Sequence, residues 1–241
     1  ALKCYSRWGC NKLRLNNSYH ALRSCKEKVK LFLVRSRYEK LYLSQGFGIS
    51  ASKCRIIPLS YNVNPESFGN EREPFCLHIS LLCDARKNVK RLIDASVKYN
   101  FKLVLGGILR NEQEKKLLDS WIRDKPNVTY MGYISYDTML DLYKRAKVFA
   151  LPSIYEGVGI VALDAAVMGC DIVITRLGGP KEYYNNMAVE VDPYSIDEIG
   201  LAVSQLMQGQ TFQPDLRKYI LENYSLKNIS EQLEMAFSIV L

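Results

Sequence analysis

Six short apolar runs alternate with helix-length amphipathic stretches between residues 75 and 207, and this alternation most narrows the folds open to the chain. Residues 75–82, 102–105, 128–131, 148–151, 172–175 and 188–191 read as strands, being short, rich in β-branched or aromatic residues, and bounded by turn residues. Between them Val89, Leu92, Ile93 and Val97 recur at helical spacing, as do Leu117, Leu118, Trp121 and Ile122, and then Met139, Leu140, Leu142 and Tyr143. A further helix is predicted from near Gly159 and another over 197–207. Strands alternating with helices in this way predict an α/β fold: a mostly parallel, doubly wound, Rossmann-like sheet.

The first 63 residues are of a different kind. Residues 1–28 read as helical through Leu13, Leu15, Tyr19 and Leu22, and 29–34 read as a strand. Ser36 is placed to cap a helix through Tyr38, Leu41 and Tyr42 that Gly46 and Gly48 end, and 55–59 form another strand. Two strands and two helices do not make a domain, because a parallel pair leaves its faces uncovered. Residues 1–63 are therefore expected to be the end of a larger domain, with a sheet edge that a missing N-terminal part, a partner subunit or a second copy covers. Residues 62–74, with two prolines, read as a linker. The expected division is 1–63, 64–213 and a helical tail, 214–241, that packs back on the N-terminal part and is interrupted at Tyr224-Ser225.

Charge follows the same division. Residues 1–63 carry 13 basic and 2 acidic side chains, a net +11, while the whole chain carries +8. Such asymmetry suits a polyanionic partner, or a solvated basic helix. The seven cysteines are scattered, odd in number and never spaced C-x-x-C, which points to a reducing compartment and away from a zinc site or disulfide framework. No run of eighteen apolar residues is present. His78, between Leu77 and Ile79, reads as a satisfied core histidine, and His20 has no evident partner.

The segment with the most chemistry is Leu151-Pro152-Ser153-Ile154-Tyr155-Glu156-Gly157-Val158-Gly159-Ile160. An apolar strand ends at Pro152, and a glycine-flanked turn leads to a helix bearing Val161, Ala162, Leu163, Ala165 and Ala166. The unpaired N–H groups and dipole of a helix start suit a phosphate, and glycines let backbone approach a ligand closely. Glu156 precedes the helix and Asp164 lies inside it. By spacing alone, the same pattern also fits an ordinary strand-to-helix turn with an acid favoured by the dipole.

This stretch resembles the P-S-x-x-E-G-F-G-x-x-x-x-E signature of retaining glycosyltransferases with the GT-B fold, with Glu156 as first acid and Asp164 in place of the second glutamate. The resemblance continues in Lys53-Cys54-Arg55-Ile56-Ile57-Pro58, in Arg86-Lys87-Asn88-Val89 with Leu92-Ile93-Asp94-Ala95 after it, in 127–133, in Gly178-Gly179-Pro180-Lys181-Glu182 and in Asp192-Pro193. It implies that Lys87, with Arg86, meets the diphosphate of a nucleotide-sugar donor, and that Gly132 and Tyr133 hold the base. It further implies that Glu156 orients the sugar, that Gly157, Val158, Gly159 and Ile160 offer N–H groups, and that Asp164 binds the ribose. Leu82 stands where the family has an arginine, and the loop 183–191 is shorter than the family's.

The activity so implied is transfer of a hexosyl group to a glycan or lipid-linked acceptor, without cofactor or metal. The expected setting is cytoplasmic, and the basic first part suits an anionic membrane surface. The alternative is a non-catalytic sugar-nucleotide-binding subunit working with a separate acceptor domain. Nucleic acid is not the expected partner.

Overall fold

The computed structural model describes residues 18–68 and 72–238. The chain divides into two compact units, one of residues up to Pro58 together with those from Ile229 onward, the other Leu59–Asn228.

In the first unit, α1 (Ser18–Cys25) precedes β1 (Phe32–Val34), α2 (Arg37–Phe47) and β2 (Cys54–Ile56). The rest of the predicted N-terminal helix, and His20's side chain, lie outside the residues described. β1 and β2 pair in parallel from Phe32 with Cys54 to Val34 with Ile56. Both strands are shorter than the apolar runs suggest, since each ends where its three-residue partner does. Ser36 caps α2 by accepting the Glu39 N–H at 3.1 Å, and Gly48 closes it in a left-handed conformation. Phe47, Ile49 and Cys54 form one small core, and Ile57 packs with Ile229 and Ala236 of α9 (Leu226–Ser238) in another.

The second unit is a six-stranded, wholly parallel sheet in the order β5-β4-β3-β6-β7-β8. Its strands are β3 (Glu73–Leu81), β4 (Lys102–Ile108), β5 (Val128–Tyr130), β6 (Ala146–Leu151), β7 (Asp171–Thr175) and β8 (Val189–Val191). Its helices are α3 (Val89–Lys98), α4 (Glu112–Ile122), α5 (Tyr136–Arg145), α6 (Ile160–Val167), α7 (Ile196–Met207) and α8 (Asp215–Asn223). The two-residue period of the strands sorts their side chains to two faces. Phe75, Leu77, Phe149, Leu151, Ile172 and Ile174 pack with α5, α6 and α8. Cys76, Val148, Ala150 and Val173 pack with α3, α4 and α7 on the other face. Helices on both faces explain why the central strands read as continuous apolar runs.

Two expectations change. Segment 62–74 is no linker: Val63 is buried in the core, and Arg72 donates to the terminal carbonyls of Tyr143 (2.7 Å), Lys144 (2.6 Å) and Met168, tying α5 and α6 to the start of β3. Nor does the tail act as one piece. Leu216 and Ile220 bury α8 in the core of the second unit, where Arg217 donates to Val167 O at 2.8 Å, and only residues from Ile229 join the first unit. Among the described residues, no helix is long and apolar enough to cross a membrane.

Candidate active site

The strand order reverses at β3: the chain proceeds outward to β4 and β5, then returns to the other side of β3 as β6. Open α/β sheets bind ligands in the crevice at the carboxyl ends of strands flanking such a reversal. Lys87 follows β3, Glu156 follows β6, and the ammonium lies 2.5 Å from Glu156 Oε2. Glu156 also accepts from Ser153 Oγ at 3.4 Å and from the Gly157 N–H at 3.1 Å. A second tie joins the two turns, Ile154 N–H to Arg86 O at 2.8 Å. Lys87 and Glu156, 69 residues apart in sequence, thus form a half-buried ion pair.

Helix α6 begins immediately beyond. Gly159 takes the left-handed conformation, φ 73°, and no side chain caps the helix. The Ala162 N–H turns back to Gly159 O at 2.8 Å, which leaves those of Ile160 and Val161 for water or a ligand. The positive φ favours glycine, and a β-carbon there would lie 2.8 Å from Leu151 Cδ2, so that leucine's tip would have to shift. Val158 is different: its side chain is buried in the core, leaving only its backbone for a ligand.

The other expected residues fall into three groups. Gly132 and Tyr133 follow β5, two strands from β3, and so lie about 10 Å along the sheet edge from Lys87. Gly132 O accepts the Gly107 N–H at 3.1 Å, and Tyr133 is 77% exposed. Arg86 is turned to Asp84, which it meets at 2.6 Å and whose carboxyl it holds down to about 2. Its guanidinium is already matched, so Lys87 is the cation aimed at Glu156. Leu82 is fully within the core and offers nothing at the surface.

Asp164 departs most from its expected role as a ribose ligand. It is 4% exposed, and its carboxylate accepts the N–H of Asn62 at 2.6 Å and that of Val63. These bonds make it an anchor for the segment entering the unit. Burial raises its pKa from 3.8 to about 6, and the two N–H bonds oppose the rise. A folded pKa above the unfolded value means that Asp164 contributes stability fully present below pH 3.8 and lost as pH rises through about 6. Asp164→Asn should therefore remove about 2 kcal/mol of pH dependence between pH 4 and pH 6.5. Parallel urea titrations of parent and variant measure it, and parallel stability curves would show that Asp164 does not titrate there.

Sequence reasoning placed His78 in the core, and there it is. Its Nδ1 is 2.8 Å from Ala150 O and its Nε2 2.7 Å from Ser80 Oγ, and burial lowers its pKa to about 4. Two contributors were not anticipated. Ser153 lies in the P-S-x-x-E stretch and Asn88 in the Arg86–Val89 turn that carry the resemblance, but neither was given a role of its own.

The sequence profile of the glycosyl transferases group 1 matches residues 62–224. The chain belongs to the group 1 glycosyl transferases. The match contains every element of the six-stranded sheet and both turns of the ion pair. The chain is 30% identical over 168 residues to an uncharacterized glycosyltransferase of Methanocaldococcus jannaschii, covering 65% of this chain and 43% of that one. It is 26% identical over 152 residues to the O-antigen chain mannosyltransferase B of Escherichia coli, covering 58% and 38%. The chain thus spans less than half the length of either relative. Among solved structures, the Anabaena protein HepE in complex with UDP and glucose superposes with a TM-score of 0.79 at 15% identity, covering 94% of this chain and 68% of that one. The sucrose-phosphate synthase of Thermosynechococcus elongatus gives 0.78 at 19%, covering 98% and 66%. The fold is that of the GT-B glycosyltransferases.

Proposed function

We propose that this glycosyltransferase takes a hexosyl group from a nucleoside-diphosphate sugar and delivers it, with retention, to a hydroxyl of a glycan or lipid-linked acceptor. The Lys87–Glu156 pair at the switch point, beside the uncapped start of α6, carries this reading. Without a donor the lysine is matched to the glutamate. A diphosphate takes over the lysine and leaves the glutamate to accept hydrogen bonds from sugar hydroxyls. The N–H groups of Gly157 to Ile160 stabilise charge developing on the leaving diphosphate, as preorganised dipoles do. With a cation and a helix start on the phosphates, the reading asks for no metal or cofactor. Gly132 and Tyr133 lie at the base end. Asp164, eight residues beyond Glu156, holds the segment at Asn62 and Val63. The relatives named as mannosyltransferases favour a catalyst over a donor-binding subunit. The net +11 of residues 1–63 suits an acceptor or membrane surface bearing phosphates.

The test separates sugar from nucleotide. UDP- and GDP-hexoses, and the free diphosphates, are titrated against parent and Glu156→Ala. The variant should lose about tenfold or more in affinity for the sugar donor or in transfer, the cost of a charged hydrogen bond. Affinity for the free diphosphate should hold or rise, because Lys87 no longer has a competing anion. Parent-like discrimination between donor and free diphosphate in Glu156→Ala would overturn the assignment.

A further inference from the structure

Asn88 precedes α3 and looks like its cap, yet it makes no side-chain cap bond, and its backbone is left-handed at φ 61°. The side chain reaches across the carboxyl edge of the sheet instead. Nδ2 donates to Pro152 O at 2.9 Å and to Pro193 O at 2.6 Å, while Oδ1 accepts from Arg91 Nη1 at 2.8 Å. Two carbonyls can face only the NH2 end of an amide, so the chemistry of its partners fixes the orientation of the group. Both amide hydrogens are used and the residue is buried.

The positions of those carbonyls are informative. Pro152 follows β6 and lies four residues before Glu156, and Pro193 follows β8. Asn88 itself adjoins Lys87. The turn after β3 is therefore held to the turn after β6 by two bonds on either side of Lys87, Ile154 N–H to Arg86 O and Asn88 Nδ2 to Pro152 O. Lysine carries a flexible four-carbon stem, and its backbone must be fixed for its charge to be aimed. Without the amide, one tie remains and two buried carbonyls lose their donor, which frees the turn to shift.

We propose that Asn88 is a positioning residue for donor binding: its amide joins the carboxyl ends of β3, β6 and β8 and so holds Lys87 where it meets the diphosphate. This rests on the donor-site reading above. Asn88 does not touch the donor; it acts through Lys87.

Asn88→Gly tests it, because glycine keeps the left-handed backbone and removes only the amide. Asn88→Asp keeps the size and sets oxygen against both carbonyls. UDP and uridine are titrated by calorimetry against the parent, both Asn88 variants, Lys87→Ala and the double variant Lys87→Ala/Asn88→Gly. Each Asn88 variant should weaken UDP about tenfold and leave uridine within about twofold, since uridine has no phosphate for Lys87 to meet. In the Lys87→Ala background, Asn88→Gly should change UDP affinity by less than about twofold, the non-additivity of residues that act as a unit. Parent-like UDP affinity in both Asn88 variants, equal losses for UDP and uridine, or additive losses in the double variant would each overturn the proposal. Should the parent bind none of UDP, GDP and ADP, the donor-site reading itself falls, and the role of Asn88 with it.

Discussion

Replacing Lys87 by alanine is expected to weaken UDP binding by about a hundredfold, the largest single effect on the site. Two terms add. The variant loses a charge-assisted bond to phosphate, about 1.5–3 kcal/mol, at 1.4 kcal/mol for each tenfold in affinity. It also leaves the half-buried Glu156 carboxylate without its cation, facing the place where the diphosphate is to lie. Arg86 would have to leave Asp84, which its guanidinium meets through three hydrogen bonds, to take that place. Uridine should bind as before, and the fall of UDP affinity with added salt should become shallower, one ion contact having gone. Calorimetric titrations at two salt concentrations measure both. A loss of less than about threefold in UDP affinity would show that the diphosphate does not meet this lysine.

The two members of the pair were legible for different reasons. Glu156 stands where an apolar strand meets glycines and a helix, a pattern with a physical reading of its own. Lys87 stands in a basic cluster that without the family resemblance reads as solvated surface. Their meeting depends on the strand order, in which β6 returns beside β3, and no local periodicity carries that order. The strands were legible because a buried parallel sheet demands apolar runs such as 148–151. The setting of Asp164 was not. Helix α6 is apolar on nearly every side, with Ala162, Leu163, Ala165, Ala166 and Val167 all buried, so no polar stripe marks which way Asp164 points. Val63 and Arg72 were hidden by their company. Prolines and polar residues around them suggest a linker, while their partners lie more than seventy residues away in α5 and α6.

Gly107→Ala is expected to be the most destabilising single change, at about 4 kcal/mol in urea denaturation. Gly107 pairs with Ser80 across β3 and β4 at the carboxyl edge, and its φ of 147° is one that L side chains rarely adopt. A β-carbon there would overlap the Ser80 carbonyl oxygen, a backbone atom held in the ladder with no flexible end to give way. Relief requires β3 and β4 to part near Leu81 and Ile108, beside the turn that carries Lys87. The same change disturbs the proposed base end, because the Gly107 N–H holds Gly132 O and so sets the turn bearing Tyr133. Gly132→Ala is the matched control. It shares a positive φ, 73°, but has open space around the new carbon, so it should cost only the left-handed penalty of about 1 kcal/mol. Should Gly107→Ala fall within about 1 kcal/mol of that control, β3 and β4 yield to a methyl group. The edge would then absorb the methyl group without moving the Gly132 turn, and uridine affinity in Gly107→Ala would stay at the parent's level rather than fall.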